Sequence, residues 1–315
     1  MMRVLRSIKE LSGLGGPLVI AAGVFDGMHL GHRAVLGAAA RRAEEMGGMA
    51  VVLTFDPHPL AVLRPDQAPR LLTSTPHKLR LIAGEGFENV LLVTFDHDFA
   101  AMEAGDFVRK LCGASGALAA ICVGEGWRFG RGRLGDGALL RSMGRDLGFE
   151  AIEVSPVAID GATISSTNIR RFIEEGQLES AARLLGRRYS VLGTVRRGEA
   201  LGRQLGFPTA NLATHSEQFP PDGVYAVRVT TEAGDFSGVA NIGNRPTVSS
   251  SVRRLLEVHL LDFSGDLYGQ EIEAVFIERL RGEQKFPDVG ALRTQIALDA
   301  DQARRLLAVG DKIAP

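Results

Sequence analysis

In the first half of the chain, short apolar runs alternate with stretches in which apolar residues recur every three or four positions. The runs have the length of buried strands and span residues 18–24, 49–55, 89–95, 117–123 and 150–154. Between them, the spacing predicts helices at 32–46, 76–84, 104–111 and 137–147. Strands that alternate with helices form a parallel sheet with helices on both faces. We therefore predict a doubly wound α/β domain whose ligands bind at the carboxyl ends of its strands, at 23–32, 56–59 and 124–135.

The second half of the chain has a different pattern. Two short helices are predicted on either side of Gly176, the second over 178–185, and from Tyr189 onward apolar and polar residues alternate. The alternating segments are YSVLGTV, VYAVRV, FSGVANI, LLEVHLLDF and EIEAVFIERL, and the turn sequences PPDG, EAGD and SGD separate them. This pattern predicts a small antiparallel β-barrel, closed by a helix over 289–307. We place the two domains at residues 1–186 and 187–315.

Composition and charge exclude several classes of protein. The 36 basic and 37 acidic residues give a net charge of −1, which argues against binding to nucleic acid through bulk counterion release. No stretch approaches the roughly 18 apolar residues that span a bilayer. Cys112 and Cys122 lie in apolar segments without metal-ligand partners at short spacing, which favours a reducing compartment. We expect a cytoplasmic protein without nucleic-acid or membrane partners, and the sequence leaves its oligomeric state open.

The first candidate site follows the first predicted strand, in the segment GVFDGMHLGH. His29 and His32 flank Gly31 immediately before a predicted helix. A helix N-terminus favours phosphate through its backbone N–H groups and its partial positive charge. Two imidazoles at that point can donate hydrogen bonds to phosphate oxygens, and Gly31 lets a nucleotide lie against the backbone. The alternative is that both histidines only cap the helix.

A second polar segment, ISSTNIR, covers residues 164–170. Ser166 and Thr167 bring two hydroxyl groups to the start of another predicted helix, and Arg170 follows one turn later. These side chains either cap that helix or bind phosphate.

Aromatic and basic residues alternate after the fourth apolar run, in EGWRFGRGRLGD. Trp127 and Phe129 stand beside several arginines, among them Arg131. Aromatic rings with arginines could hold a flat ring and its phosphate, at the same sheet edge as the segment TFDPHP. An ordinary basic turn with one core aromatic residue would give the same pattern.

The second candidate site lies at the start of the predicted barrel, in GTVRRGEALGRQLGFPTANL. Three glycines of this segment, Gly198, Gly202 and Gly206, make a flexible loop between strands. Pro208 fixes the turn before Thr209 and Asn211, whose side chains point the same way if this segment is a strand. A hydroxyl and an amide oxygen are hard donors suited to Mg²⁺. A purely turn-stabilising role is the alternative.

One carboxylate stands within an otherwise apolar strand of the predicted barrel. Glu257 in LLEVHLLDF has leucine or valine at 255, 256, 258 and 260. We expect it to be buried, and burial would raise its pKa as a general base requires. A glutamate that faces solvent at a strand edge is the alternative.

The HLGH and ISSTNIR segments resemble the HxGH superfamily of nucleotidyltransferases, which have a Rossmann-like fold. The resemblance implies that the enzyme aligns an acceptor phosphate with the α-phosphorus of ATP and stabilises the departing pyrophosphate, without a covalent intermediate. On this basis the residues assigned to ATP are Gly23, Phe25, Asp26, His29, Gly31, His32, Ser166, Thr167 and Arg170.

The segments GRQLGFPTAN, GVYAVRV, GVANIGNRPTV and EVHLLDFSGDLYG resemble the riboflavin kinase family. The two modules in this order, over about residues 18–307, resemble the bifunctional prokaryotic riboflavin kinase/FAD synthetase family. The resemblance implies that a ribityl hydroxyl of riboflavin attacks the γ-phosphate of ATP, with Glu257 as the base and Mg²⁺ on Thr209 and Asn211. FMN then attacks the α-phosphate of a second ATP, which gives FAD and pyrophosphate. No tightly bound prosthetic group is implied.

The resemblance also assigns the remaining ligand contacts. Those assigned to FMN in the first domain are His58, Trp127, Phe129 and Arg131. Those assigned to ATP in the kinase domain are Gly198, Gly202, Arg203, Gly206 and Pro208. The chain departs from the family pattern at Gly126 and Trp127, where an aspartate or asparagine followed by phenylalanine is usual, and at Val24, where an asparagine often stands.

Two other functions fit parts of the sequence. The first domain alone also fits an adenylyltransferase for another acceptor, such as phosphopantetheine, with an unrelated barrel attached; GFPTAN and EVHLLDF argue against this. A flavin-binding regulator or carrier without turnover is the second alternative. Simple binding requires neither a base nor a metal pair. The residues that argue against a carrier are therefore His29, His32, Thr209, Asn211 and Glu257.

Overall fold

The computed structural model describes residues 2–197, 202, 205–214, 218–245 and 253–308. The chain divides into two compact units. Unit 1 contains Met1–Arg70 and Lys78–Ser166, and unit 2 contains Leu71–His77 and Thr167–Pro315. The domain boundary between residues 186 and 187 stays a prediction.

Unit 1 is built on a six-stranded parallel sheet. Its strands are β1 (Arg3–Leu5), β2 (Leu18–Ala22), β3 (Met49–Asp56), β4 (Asn89–Thr94), β5 (Leu118–Gly124) and β6 (Glu150–Val154), and a small hairpin of β7 (Ala158–Ile159) and β8 (Ala162–Thr163) follows. The helices are α1 (Leu30–Glu45), α2 (Pro59–Leu63), α3 (Thr75–Gly84), α4 (His97–Ala100), α5 (Ala104–Ser115) and α6 (Gly137–Leu147), with 3₁₀ turns at Ile8–Gly13, Pro65–Gln67 and Arg131–Arg133. The first three residues of α3 belong to unit 2.

The predicted α/β fold is confirmed, and the central strand shows why the sequence specifies it. In β2, Leu18 and Ile20 pack into a core on one face of the sheet, and Val19 and Ala21 pack into a second core on the other face. A strand that is buried on both faces has a continuous apolar run, without polar alternation. The apolar pattern did not reveal β1, because its three residues are too few to show a period.

Strand order locates the ligand-binding edge of this sheet. The strands lie in the order β1-β4-β3-β2-β5-β6. The chain runs outward from β2 through β3 to β4, and then continues at β5 on the other side of β2. The crevice between the carboxyl ends of β2 and β5 is therefore the topological switch point, where open α/β sheets bind their ligands.

Unit 2 is a closed antiparallel barrel that follows two short helices, as predicted. The helices are α7 (Ser166–Glu174), whose first residue belongs to unit 1, and α8 (Leu178–Leu185). The barrel strands, in the spatial order β10-β13-β12-β11-β14-β9, are β9 (Ser190–Arg196), β10 (Ala210–Thr214), β11 (Gly223–Thr231), β12 (Gly234–Arg245), β13 (Arg253–Leu260) and β14 (Glu271–Arg281). The helix α9 (Val289–Ala308) packs on the barrel, and the ion pair of Arg281 with the buried Asp299 fixes it there.

Neither cysteine has the properties of a reactive thiol. Cys112 and Cys122 are both free, and burial raises the pKa of Cys122 to about 12. The thiolate is the reactive form, so Cys122 is inert at neutral pH. Among the described residues, no helix combines the length and the apolar composition that a bilayer crossing requires.

A hydrogen bond between a histidine and a glutamate holds the segment Leu71–His77 in unit 2. His77 is fully buried, and its Nε2 lies 3.1 Å from Oε1 of Glu273 on β14. Burial alone would raise the pKa of Glu273, but hydrogen bonds with His77 and Ser190 and the charges of His77 and Arg187 lower it to about 2. The carboxylate therefore stabilises the folded unit wherever it is ionised.

Replacing Glu273 with glutamine should lower the stability of unit 2 by up to about 3 kcal/mol at pH 7. The pKa is lower in the folded state, so this contribution is complete above pH 4.5 and is lost as the pH falls from 4.5 towards 2. Urea unfolding can be followed through the near-ultraviolet signal of the three tyrosines, Tyr189, Tyr225 and Tyr268, since all of them belong to unit 2. Glu278→Gln, at an exposed position of the same strand, is the control. Equal unfolding midpoints for the two variants at pH 7 would contradict the prediction.

Candidate active sites

Two of the predicted ligand segments flank the crevice of unit 1. The chain that leaves β2 forms the loop to α1, and the chain that leaves β5 forms the loop to α6. Since β2 and β5 are neighbours in the sheet, both loops start at the same edge. The topology thus brings the glycine-rich HLGH segment and the aromatic segment to one site.

The two histidines of the first loop lie against each other at the N-terminus of α1. Their rings are stacked, with centroids 3.5 Å apart and planes inclined by 17°. Phe25 and His32 are in edge-to-face contact, with ring centroids 5.3 Å apart. His29 is buried and His32 is half-buried. The helix is 16 residues long, so its N-terminal partial charge is fully developed beside both rings.

His29 is also the N-cap of this helix. Its Nδ1 accepts a hydrogen bond of 3.2 Å from the backbone N–H of His32. In a neutral imidazole, this bond places the ring proton on Nε2. The capping role and the phosphate-binding role are therefore compatible, because each uses a different nitrogen of the same ring.

The turn that carries the histidines contains two strained residues. Phe25 and Met28 have φ values of 53° and 44°, in the left-handed region that side chains with a Cβ rarely adopt. Backbone strain of this kind costs about 1–3 kcal/mol per residue and is typical of functional sites. The turn also requires Gly31, because a Cβ there would lie 3.1 Å from the His29 ring.

Ser166 fixes the same turn from another part of unit 1. Its hydroxyl donates a hydrogen bond of 2.9 Å to the carbonyl oxygen of Asp26, a buried residue. Thr167 and Arg170 lie on the first turns of α7 and belong to unit 2, where Thr167 is exposed and Arg170 is half-buried. Their contact with the nucleotide stays a prediction.

The aromatic segment after β5 has one ring beneath another. Trp127 and Phe129 are stacked, with centroids 4.6 Å apart and planes inclined by 17°. Phe129 is buried in the core and contacts Phe107 at 6.0 Å, whereas Trp127 is half-buried. Trp127 is therefore the more accessible of the two rings, and Phe129 packs against it from the core.

The other two residues assigned to FMN have partners of their own. The Arg131 side chain forms an ion pair with Glu103. His58 is the N-cap of α2, where its Nδ1 accepts a hydrogen bond of 3.1 Å from the backbone N–H of Leu60. As with His29, this bond places the proton of the neutral ring on Nε2.

Two buried polar side chains at this edge were not found by sequence reasoning. Thr54 and Lys78 are 0% and 6% exposed, and they form a hydrogen bond of 3.1 Å. Burial lowers the pKa of Lys78 to about 8, although the carboxylates of Asp26 and Asp56 raise it. The only signal in the sequence was a lysine within the apolar helix pattern at 76–84, and surface lysines on helices give the same signal.

In unit 2, strand pairing brings the predicted metal ligand and the predicted base together. Asn211 on β10 is the register partner of Glu257 on β13. Directly paired residues of an antiparallel sheet have Cβ atoms about 4.5–5.5 Å apart on one face. Asn241 on β12 is paired with Glu257 on its other side, and sequence reasoning had not selected it.

The expected burial of Glu257 is wrong. Leu256 and Val258 are buried, whereas Glu257 is half-buried, because alternate residues of a strand point to opposite faces of the barrel wall. Thr209 and Asn211 are half-buried as well. The three polar side chains are thus accessible to a ligand.

The segment before β10 is attached to β13 through His259. Its Nδ1 lies 2.8 Å from the carbonyl oxygen of Pro208, and its ring contacts Phe207 edge to face at 5.6 Å. Gly202 approaches Thr209 so closely that a Cβ would lie 3.1 Å from its hydroxyl oxygen, and Gly206 has a φ of 89°. Gly198 and Arg203, also assigned to ATP, lie outside the described residues.

Comparison with known proteins identifies the two halves of the chain separately. Residues 15–168 match the family model for FAD synthetase, and residues 185–307 match the model for riboflavin kinase. A bifunctional riboflavin kinase/FMN adenylyltransferase of Escherichia coli K12 is 39% identical over 310 residues, which cover 98% of this chain and 99% of that protein. The protein of the same name from Pseudomonas fluorescens is 37% identical over 307 residues, 98% of either chain.

A solved structure confirms the fold over nearly the full length. It comes from Streptococcus pneumoniae, its title calls it a macrolide-efflux protein, and it covers 96% of this chain with a TM-score of 0.81 and 30% identity. The resemblance inferred from the HLGH, ISSTNIR and GFPTAN segments is confirmed by the family models and relatives. The chain belongs to the family of bifunctional riboflavin kinase/FMN adenylyltransferases.

Proposed function

We propose that the chain makes FAD in two steps, each at its own site. The barrel transfers the γ-phosphate of ATP to riboflavin and gives FMN, and unit 1 transfers the adenylyl group of a second ATP to FMN and gives FAD with pyrophosphate. The observation that carries this proposal is that the two regions matched by the kinase and synthetase models each contain a separate polar cluster, Asn211 with Glu257 and His29 with His32.

In the kinase reaction, Glu257 takes the proton of the ribityl hydroxyl as that oxygen attacks the γ-phosphorus, and the bond from the γ-phosphorus to the oxygen shared with the β-phosphate breaks, so that ADP leaves. The half-buried position of the carboxylate supports this role, because the hydroxyl must reach it. Thr209 and Asn211 provide hard oxygen donors, a set that fits an ion keeping several waters. When bound there, Mg²⁺ would neutralise charge on the β- and γ-phosphates. Gly202, Gly206 and Pro208 line the approach to the phosphates, and we assign Gly198 and Arg203 to the same role.

In the adenylyl transfer, the protein supplies position and electrostatic stabilisation. The phosphate of FMN attacks the α-phosphorus of ATP, and the bond to the pyrophosphate oxygen breaks. His29 donates from Nε2, and His32 lies stacked beside it at the N-terminus of α1, where charge develops on the departing pyrophosphate. The turn from Gly23 through Phe25 and Asp26 to Gly31 holds these groups in place, and the hydroxyl of Ser166 fixes that turn. The family resemblance assigns Thr167 and Arg170 to the remaining phosphate oxygens.

FMN lies at the loop that follows β5. The accessible face of Trp127 stacks on the isoalloxazine, and Phe129 supports Trp127 from the core. Arg131 and the Nε2–H of His58 bind the FMN phosphate. We expect both reactions to take place in the cytoplasm, without nucleic acid as a partner.

A product profile tests the whole proposal. Purified full-length protein incubated with riboflavin, ATP and Mg²⁺ should give FMN first and FAD later, as separated by chromatography. FAD from supplied FMN without any FMN from riboflavin would contradict the kinase assignment. Riboflavin recovered unchanged would favour a flavin carrier without turnover. Adenylylation of supplied phosphopantetheine would favour an adenylyltransferase that acts on this acceptor instead of FMN.

A further inference from the structure

Lys78 on α3 is a buried cation whose three hydrogen bonds all go to uncharged oxygens. Its Nζ lies 3.3 Å from the carbonyl oxygen of Val24, 3.1 Å from Oγ1 of Thr54 and 3.0 Å from the carbonyl oxygen of Phe55. An ammonium group has three N–H donors, so each has an acceptor. Burial of a charge is costly and is unusual unless the group has a specific task.

These bonds lie where β2 leaves the sheet. The pairing of β2 with β3 ends at Ala22 and Leu53, and the N–H of Gly23 donates to the carbonyl oxygen of Leu53 at 3.1 Å. One residue further on, the carbonyl oxygen of Val24 accepts hydrogen bonds from the Thr54 hydroxyl, at 2.9 Å, and from Lys78. Beyond the end of the backbone pairing, the side chains of Thr54 and Lys78 thus supply the hydrogen bonds that hold the chain at Val24.

The strained turn of the adenylyl-transfer site begins directly afterwards. Phe25, at a φ of 53°, follows Val24, and His29 caps α1 four residues later. Ser166 holds the far side of the turn through the carbonyl oxygen of Asp26. A turn with left-handed residues persists only if its surroundings fix it, and Lys78 fixes Val24, the residue that precedes the turn.

We propose that Lys78 is a positioning residue for adenylyl transfer, which fixes the departure of the chain from β2 and thereby the place of His29 and His32. This inference rests on the proposed function of unit 1. The charged groups that act on Lys78 are the carboxylates of Asp26, in the turn itself, and Asp56, at the end of β3. The ammonium therefore also attracts the turn through Asp26.

The test compares Lys78→Met, which retains the length and apolar stem of the side chain, with the native protein. Lys110→Met, which removes the same charge from an exposed position of α5, is the control. We expect kcat for FMN adenylylation to fall about 10²-fold in Lys78→Met, since a small misplacement of catalytic groups costs this much. The KM for ATP should change less than threefold, and riboflavin phosphorylation and the control variant should change less than twofold.

The pH dependence separates positioning from simple stabilisation. In the native protein, kcat for FMN adenylylation should fall above about pH 8, as Lys78 loses its proton, and Lys78→Met should lack this decline. Stability should change in the opposite direction. Because the pKa of Lys78 is lower in the folded state than the ordinary 10.5, its contribution to stability rises between about pH 8 and 10.5. A lysine that only stabilised the fold would not make activity fall while stability rose.

Several outcomes would overturn the inference. They are a kcat for Lys78→Met within threefold of the native value, equal loss of both reactions, or a native kcat that does not change between pH 7.5 and 9.5. If Lys78→Met does not fold, Thr54→Val removes the other donor to Val24 at nearly constant volume. A kcat for FMN adenylylation within threefold of the native value in Thr54→Val would then overturn the inference. Failure of the native protein to make FAD from FMN would instead contradict the proposed function.

Discussion

Replacing Glu257 with alanine is expected to reduce FMN formation from riboflavin by about 10²–10⁴-fold, the range found for removal of a general base. FAD formation from supplied FMN should remain within twofold of the native rate, because Glu257 belongs to the barrel and the adenylyl-transfer residues His29 and His32 belong to unit 1. The measurement is flavin chromatography with each substrate supplied separately.

The controls for this experiment come from the same barrel. Glu257→Gln retains the shape of the side chain and its capacity for hydrogen bonds but cannot accept the proton, so it should be nearly as inactive as the alanine variant. Glu278→Ala, on the exposed part of β14, removes a carboxylate without touching the site and should leave both reactions unchanged. Equal loss of FMN and FAD formation in a folded Glu257→Ala protein would contradict the assignment of one site to each reaction.

Replacing His32 with alanine should impair FAD formation and leave FMN formation intact, the reverse of the result expected for Glu257→Ala. FAD formation from FMN should fall about 10²–10³-fold, the cost of removing a donor that stabilises the transition state. FMN formation from riboflavin should remain within twofold of the native rate. The substitution retains the backbone N–H that donates to His29, so the cap of α1 persists while the stacked ring and its contact with Phe25 are lost.

Another histidine of unit 1, outside the proposed site, gives the matched control. His97 lies exposed on α4, and His97→Ala should leave both reactions unchanged. The change in His32→Ala should appear mainly in kcat, because the contact gains strength as charge develops on the pyrophosphate. If His32→Ala instead lost riboflavin phosphorylation alone, the assignment of the HLGH segment to adenylyl transfer would be wrong.

The sequence predicted the elements around both sites with small errors at their ends. The predicted helix at 137–147 and strand at 150–154 coincide with α6 and β6, and the predicted strand at 49–55 falls one residue short of β3. Apolar periodicity is a local property, so a single segment is enough to show it. The strand β1 has three residues and the strands β7 and β8 have two each, so the two-residue period of a strand does not repeat clearly in them and they could not be found in this way.

Side-chain environment was less predictable than element type. Phe129 was assigned to the ligand, and the structure buries it beneath Trp127. Glu257 was expected to be buried, and the structure leaves it half-buried. The apolar neighbours of Glu257 were misleading, because alternate residues of a strand lie on opposite faces of the barrel wall. The contact of Phe129 with FMN stays a prediction.

By itself, the sequence determined the two folds, the order of the two modules and the segments that carry their chemistry. This was possible because the period of a strand, the apolar spacing of a helix and a motif all depend on residues close together in the chain. Only the tertiary structure decided which distant residues meet. Barrel register places Asn211 and Asn241 on either side of Glu257. Helix packing brings the Lys78 ammonium to the carbonyl oxygens of Val24, two residues after β2, and of Phe55, near the end of β3. Both results depend on pairing and burial between remote segments, for which a single sequence contains no periodic signal.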